Sequence, residues 1–311
     1  MMKRKKTDQK KYITLNKTNV NAGLVSWYRT ELTNLVNKMY KIYEKQILKL
    51  FKENKEQIKQ IRYATDDNIG SQARILLNKL DRAYSEYYDN KGKKVSEAMV
   101  EKTSKLLQTS FEVSFYSFLK KLDKKADGGV IAKVLSQFSP DIMSDKAKFV
   151  KAFSLKKKLY NQVATNLKKT MIMNNVELIK SIHQQFHREI SQSVYDCIVN
   201  GRPQKELISM IKTCGQKTTR RANLIATDQV NKTHSVLYRQ ELKQNGITKA
   251  RWIHIGGGKT DRKTHIAKAP NGLNGAIFDL TKGIYDKAVN KFIQPAELPF
   301  CRCQAEPILE V

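Results

Sequence analysis

The sequence predicts a mostly α-helical protein, with a long-helix N-terminal body and a small C-terminal α+β subdomain. Between residues 22 and 245, apolar residues recur at three- and four-residue spacing, which is the pattern of amphipathic helices. After residue 245 the apolar runs become short and alternate with glycine clusters, which is typical of short strands joined by turns. Such an order of elements predicts helices that pack beside a small sheet.

The helical part divides at residues that favour helix ends. The predicted helices cover about residues 22–51, 73–87, 95–122, 155–199, 203–211 and 218–245. Their ends are placed at Gly92, Gly201, Gly215 and Gly246, because glycine adopts the left-handed conformation that follows many helices. The aromatic residues within these stripes are interpreted as helix-packing core, since they follow the helical spacing.

Short apolar runs at 250–255 and 276–280, and a terminal segment through Leu309, predict the strands of the small sheet. We therefore expect three parts along the chain. They are a basic disordered arm at 1–20, a helical domain at 21–150, and a C-terminal domain at 151–311 with helices to 245 and a small sheet within 250–311.

The charge of the chain predicts a polyanionic partner. Its 58 Lys and Arg residues against 29 Asp and Glu residues give a net charge of +29. Such a surplus attracts nucleic acid first and an anionic membrane surface second. The cations are mainly lysines, which contact phosphate as point charges, so we expect binding to double-stranded DNA without sequence preference.

Two clusters of cations are candidates for phosphate contacts. The arm carries seven Lys and Arg residues against Asp8, and four cations share one stripe of the predicted helix at 218–245. A solvated helix face is the alternative interpretation of that stripe. The candidate residues are Lys3, Arg4, Lys5 and Lys6 in the arm and Arg221, Lys232, Arg239 and Lys243 in the helix.

The four cysteines are too few for a disulfide framework and suit a reducing compartment. The basic N-terminus is not followed by an apolar segment of the kind that secretory signals contain. No run of eighteen apolar residues occurs, so we expect no membrane span. We expect the protein to act in the compartment where it is made, or to be packaged there.

Cys301 and Cys303 predict a pair of neighbouring thiols near the C-terminus. Residues i and i+2 of an extended segment point to the same face, so both sulfur atoms would lie on one side of the chain. With His265 they would supply three zinc ligands, and Asp261 could supply a fourth. The alternative is a pair of buried thiols that hold the terminal strand on the sheet, so a structural zinc ion is one of two interpretations.

Other motifs point away from catalysis. Gly256 to Thr260 lacks the earlier glycine and the following helix of a phosphate-binding loop. His183 and His187 are spaced for one metal, but the glutamate of the metalloprotease motif is absent. We expect no catalytic residue, and we expect Arg262 and His265 to pin their loop to the Cys-Arg-Cys segment.

A set of short motifs follows in a fixed order over residues 165–311. Its members are Ala226-Thr227-Asp228, Trp252, Arg262, His265, Gly275, Phe278, Pro295, Glu297, Cys301, Arg302 and Cys303. The set resembles the phage Mu F-like head morphogenesis family of minor capsid proteins. The resemblance implies that Trp252, Arg262, His265 and Arg302 belong to a structural motif. Some members of that family carry a Cys-x-x-Cys pair near the position of His265, which would complete four thiolates.

The resemblance also implies a function and a location. The protein would be a low-copy minor capsid component of the procapsid interior that contacts the portal protein, other capsid components and the packaged double-stranded DNA. It would reside in the virion, and in the host cytoplasm during assembly. The alternatives are a phage-delivered nuclease or toxin effector that uses His265 with Arg262, and a free DNA-binding protein without sequence preference.

Overall fold

The computed structural model of the protein describes residues 12–15, 17–55, 67–123, 161–200, 202–256 and 261–310. Within these ranges the chain is mostly helical and ends in a small strand-containing region, which confirms the predicted fold class. In the described part of the chain, no helix is both long enough and apolar enough to cross a bilayer.

Four long helices and one short helix occur in the described residues. They are α1 (Ala22–Glu53), α2 (Asp67–Asp123), α3 (Asn161–Val199), α4 (Gln204–Gln244) and α5 (Lys263–Ile266). The apolar stripe of α1 shows why it forms, because its buried residues recur every three or four positions. They are Leu24, Tyr28, Leu32, Leu35, Val36, Met39, Tyr43, Ile47 and Phe51. Packing of this face stabilises the helix more than intrinsic propensity does.

The chain forms two compact units, and each is drawn from separate stretches of sequence. The first unit comprises Met1–Asn21, Lys102–Lys168 and Asn231–Val311, and the second comprises Ala22–Glu101 and Lys169–Val230. This division differs from the contiguous domains expected at 21–150 and 151–311. The reason is that α2, α3 and α4 are each long enough to contribute to both units.

Two glycines that were predicted to end helices lie inside helices instead. Gly92 lies within α2 and Gly215 within α4, so the predicted breaks at these positions are wrong. Each glycine allows a close approach of another helix. A Cβ atom at Gly92 would lie 3.1 Å from Ile179 Cγ2, and one at Gly215 would lie 2.6 Å from Tyr40 Cδ2. These glycines serve packing inside the second unit, where the absence of a side chain outweighs their poor helix propensity.

Gly215→Ala should therefore destabilise the second unit by about 1–2 kcal/mol, because the cost of crowding the Tyr40 ring exceeds the gain in helix propensity. Gly70→Ala is the matched control, since a Cβ atom at Gly70 in α2 meets nothing within 4 Å. That variant should be neutral or more stable by up to about 1 kcal/mol. The unfolding temperatures of both variants, compared with that of the wild type, test this prediction. Equal effects of the two substitutions would contradict the packing explanation.

The histidines at helical spacing lie in the core of the second unit. The Tyr43 hydroxyl lies 3.3 Å from His183 Nε2 and 3.1 Å from His187 Nδ1, so a phenol separates the two imidazoles. Burial lowers the pKa of His183 to about 4, which keeps this ring neutral near pH 7. Within the described residues the pair does not belong to a cluster of metal ligands. His183 and His187 are thus polar members of a hydrogen-bonded core.

The first unit contains a four-stranded antiparallel sheet in the order β1-β6-β2-β3. Its strands are β1 (Tyr12–Thr14), β2 (Lys249–Ile253), β3 (Ile277–Asp279) and β6 (Gln304–Glu310). β2 pairs with both β3 and β6, with Ala250 opposite Phe278 and opposite Pro307. The three strands predicted in the C-terminal region are confirmed at these positions.

Residues 12–15 of the N-terminal arm form a strand and its continuation, which corrects the disordered arm predicted over 1–20 for this part of it. β1 pairs antiparallel with β6, and the Leu15 amide donates to the Pro307 carbonyl at 3.0 Å. Leu15 is buried in the core of the first unit. The sequence Tyr-Ile-Thr favours strands, and here it covers the otherwise open edge of β6. Residues 1–11, with the candidate residues Lys3, Arg4, Lys5 and Lys6, lie outside the described residues.

A two-stranded antiparallel hairpin, which the sequence analysis missed, precedes the terminal strand. It consists of β4 (Ile284–Asp286) and β5 (Lys291–Ile293). Each strand has only three residues, which is too short for an alternating pattern to be recognised. Ile293 is buried in the core of the first unit and Ile284 packs against that core. The hairpin therefore belongs to the C-terminal subdomain.

A candidate metal centre in the C-terminal subdomain

Two segments of the C-terminal subdomain bring a histidine and two thiols together. His265 lies on α5, and Cys301 and Cys303 lie in the segment that leads into β6. All three side chains are buried, and their ligand atoms lie within 4.8 Å of one another. The predicted cluster of His265, Cys301 and Cys303 is therefore formed in the structure.

The distances in this cluster fit tetrahedral coordination. His265 Nδ1 lies 3.6 Å from Cys301 Sγ and 3.6 Å from Cys303 Sγ. Zinc binds thiolate sulfur at about 2.3 Å and imidazole nitrogen at about 2.0–2.1 Å, so a tetrahedral angle sets the sulfur-to-nitrogen distance at about 3.6 Å. The three atoms are thus spaced as ligands of one small cation would be.

A second histidine lies at the same distance from Cys303, but it does not belong to the group of three ligand atoms that all lie within 4.8 Å of one another. His254 Nδ1 is 3.6 Å from Cys303 Sγ, and the His254 amide donates to Asn274 Oδ1 at 3.1 Å. His254 follows directly after β2, so the sheet determines its position. His254 was not among the predicted ligands. Its one available signal was the spacing Trp252-x-His254, which places the histidine on the same face of the strand as the buried tryptophan.

Each imidazole faces a carboxylate through its other ring nitrogen. Asp286 Oδ2 lies 3.1 Å from His265 Nε2, and Asp261 Oδ2 lies 3.6 Å from His254 Nε2. Asp286 is wholly buried. Metal-binding histidines commonly donate to a carboxylate in this way, which leaves the lone pair of the first nitrogen directed at the metal. Asp261 is thus placed behind His254, which corrects its expected role as a direct fourth ligand.

A hydrogen bond between the two thiols makes one of them more acidic than the other. The hydrogen bond from Cys303 is the main cause that lowers the pKa of Cys301, and His265 adds to this effect. The same hydrogen bond, together with burial, raises the pKa of Cys303. Cys301 is therefore the thiol of the pair that ionises more readily, and the thiolate is the form that binds metal ions.

Apolar and hydrogen-bonding contacts fix the centre in place. The Trp252 ring packs edge-on against His265 with 5.1 Å between ring centroids, and against Phe278 at 6.0 Å. Arg262 Nη2 donates to the Pro299 carbonyl at 3.2 Å, which ties the α5 region to the segment before Cys301 as the sequence analysis expected. Arg302 is exposed between the two thiols.

The cation stripe predicted on helix 218–245 is only partly available to a ligand. Arg221 Nη2 donates to Ser181 Oγ at 2.8 Å, and Arg239 Nη1 donates to the Pro295 carbonyl at 3.1 Å. Burial lowers the pKa of Arg239 to about 10. Lys232 is half-buried and Lys243 is exposed. The two arginines bind protein acceptors because the helix packs along most of its length, so a continuous row of free cations was the wrong interpretation.

Asp286→Asn should weaken metal binding about 10- to 100-fold, because the amide cannot replace the carboxylate that orients His265. Competition with a chromophoric zinc chelator would measure the change. Asp279→Asn is the control, since Asp279 accepts hydrogen bonds from the Thr281 and Lys282 amides in an exposed turn. Equal metal affinity of the Asp286 variant and the wild type would contradict the orienting role.

Comparison with known proteins identifies one similar sequence. The chain is 30% identical over 136 residues to an uncharacterized protein of Haemophilus influenzae. The match covers 44% of this chain and 28% of the length of the Haemophilus influenzae protein, so the similarity concerns a part of each. No protein-family profile matches the chain, and no solved structure matches it.

Proposed function

We propose that His265, Cys301 and Cys303 bind one structural zinc ion, and that His254, which contacts Cys303 but lies outside this group of three mutually close ligand atoms, moves toward the ion as the fourth ligand. Imidazole and thiolate ligands suit zinc, whereas magnesium and calcium prefer oxygen ligands. Four protein ligands complete a tetrahedral shell, whereas catalytic zinc sites keep one position for water or substrate. The residues join the end of β2, helix α5 and the segment before β6, so the ion would hold three separate stretches of the subdomain together.

The protein is proposed to be a phage minor head protein of the Mu F-like type, on the resemblance of its motif residues. The observation that supports this is the convergence of those residues on one centre. Trp252 contacts His265, Arg262 binds the segment before Cys301, and Cys301 and Cys303 surround His265 Nδ1. Residues that are spread from 252 to 303 in sequence thus form one cluster of contacts, as expected for a motif that defines a folding unit.

The proposed partners follow from the same resemblance and from charge. In a capsid the protein would be a low-copy component that contacts the portal and other capsid proteins. A net charge of +29 would help a DNA-filled shell to retain it, because phosphate contacts release counterions. The proposal includes no catalytic role, and the burial of all three clustered side chains supports a structural use of the centre.

Mass spectrometry of purified empty procapsids is the test of this proposal. We expect the wild-type chain in the particles at low copy number, and we expect the Cys301→Ser/Cys303→Ser variant to be depleted from them. Absence of the wild-type chain from the particles, combined with tight DNA binding in solution, would favour a free DNA-binding protein. Cleavage of plasmid DNA or RNA by the purified protein would favour the nuclease alternative.

Duplex DNA binding should depend steeply on salt and little on sequence. If about six phosphates are neutralised, the logarithm of the binding constant should fall with a slope near −5 against the logarithm of salt concentration. Deletion of residues 1–11 should reduce this slope, since it removes six cations and leaves β1 intact. Fluorescence anisotropy over a salt series would measure it. A slope near zero, or a strong preference for one sequence, would contradict the proposed mode of binding.

A further inference from the structure

The hairpin of β4 and β5 presents two aromatic rings on its outer face. Tyr285 and Phe292 are direct cross-strand partners, and their ring centroids lie 5.5 Å apart with 66° between the planes. Tyr285 is 44% exposed and Phe292 is 61% exposed. The inner face of the same hairpin packs its isoleucines on the core. The outer rings therefore lie on a hairpin that packs on the core, and both remain substantially exposed.

These rings are unusual within the part of the chain that the structure describes. Apart from Phe300, no other aromatic side chain described there is comparably exposed. A cross-strand aromatic pair would stabilise the hairpin by about 0.2–1 kcal/mol, but that role does not require both residues to be so exposed. The two rings are thus candidates for contact with a partner.

The charges around the rings specify the chemistry of that partner. Lys282, Lys287 and Lys291 are exposed, but Lys291 lies opposite Asp286 in the register, so it leaves the strand on the face away from the rings, where it pairs with Glu297 at 3.2 Å. The one acidic residue of the hairpin, Asp286, is wholly buried against His265. The exposed charges of residues 282–293 are therefore all positive, which suits a ligand that combines flat rings with negative charge.

We propose that this outer face binds single-stranded nucleic acid, with bases stacked on Tyr285 and Phe292 and phosphates contacted by Lys282 and Lys287. Base stacking on aromatic side chains tolerates any sequence, because every base has a π-face. In a duplex the bases are already stacked and covered, so the face selects unpaired strands. This proposal goes beyond the duplex contacts proposed above and does not depend on them.

The test measures binding of a fluorescein-labelled 15-mer of deoxythymidine by anisotropy. Tyr285→Ala/Phe292→Ala should weaken this binding about tenfold or more, given that stacking contributes about 1–3 kcal/mol per base. A 15-base-pair duplex should lose less than about threefold, since its phosphate contacts persist. Ile75→Ala/Leu224→Ala is the matched control, because it removes exposed apolar side chains elsewhere and should leave both affinities unchanged.

A leucine variant separates stacking from simple apolar contact. Tyr285→Leu/Phe292→Leu keeps an apolar face but removes the π-systems, so it should also lose affinity for the oligonucleotide about tenfold. Unchanged zinc content and unfolding temperature would show that both variants are folded. Wild-type affinity in either variant would overturn the proposal. Binding of the leucine variant to vesicles of phosphatidylserine and phosphatidylcholine, without ring-dependent oligonucleotide binding, would assign the face to a membrane instead.

Discussion

Cys301→Ser/Cys303→Ser should abolish zinc binding and unfold the C-terminal subdomain. Structural zinc sites contribute roughly 10–16 kcal/mol of binding free energy to folding, and serine hydroxyls do not replace thiolates as ligands. Both thiols are also buried in the core of the first unit, so the variant loses packing as well. Limited proteolysis should show cleavage first between residues 254 and 303, where no long helix remains.

The second unit provides the control for this experiment. Its own core contains the buried residues of α1 and the Tyr43, His183 and His187 cluster, whereas the residues of the metal centre belong to the first unit. Helical fragments of residues 22–101 should therefore stay resistant to protease, and most duplex DNA binding should persist. Cys197→Ser should retain full zinc content, because Cys197 is buried in the second unit. Unchanged protease resistance of the double variant, with no zinc in the wild type, would contradict the proposal that these residues stabilise the C-terminal subdomain.

His254→Ala should lower zinc affinity by at least about 100-fold, because it opens the fourth position of a closed tetrahedral shell. This loss of zinc affinity should be larger than the loss caused by Asp286→Asn. The loss caused by Asp286→Asn should in turn be larger than that caused by Asp261→Asn. This order follows from the geometry, since His254 would be a direct ligand. Asp286 is a buried partner at 3.1 Å, whereas Asp261 is a partly exposed partner at 3.6 Å.

Chelator competition across the three variants measures this order. His187→Ala is a control for the loss of an imidazole, because His187 binds Tyr43 in the second unit and should not change zinc affinity. An Asp261→Asn effect larger than that of His254→Ala would mean that the carboxylate is the ligand. Equal zinc affinity of the wild type and His254→Ala would reduce the centre to three protein ligands.

The helices were predictable because helical periodicity is a local property of the sequence. Seven of the nine buried residues of α1 belong to the predicted stripe, and only Leu24 and Val36 were not included in it. The errors at Gly92 and Gly215 arose because a glycine that ends a helix and a glycine that admits a neighbouring helix look alike in sequence. Ile179 and Tyr40 distinguish them, and both lie far away along the chain.

The candidate site was predictable only where its residues follow a local pattern. Cys301 and Cys303 were recognised by their spacing, and His265 by its position in the motif set. His254 and Asp286 were missed, because their roles depend on distances to Cys303 and His265 that no local pattern encodes. Arg239 was a candidate for phosphate contact because it lies on the cation stripe. Its side chain donates instead to the Pro295 carbonyl, a contact that the spacing along the helix does not indicate.

X-ray absorption spectroscopy at the zinc edge tests the proposed centre most directly. Protein purified from zinc-replete cells without added metal should contain one zinc ion per chain. Its first shell should consist of two sulfur atoms at about 2.3 Å and two nitrogen atoms at about 2.0–2.1 Å. A shell dominated by oxygen, or folded protein that carries no zinc, would contradict the assignment of Cys301, Cys303, His265 and His254 as its ligands.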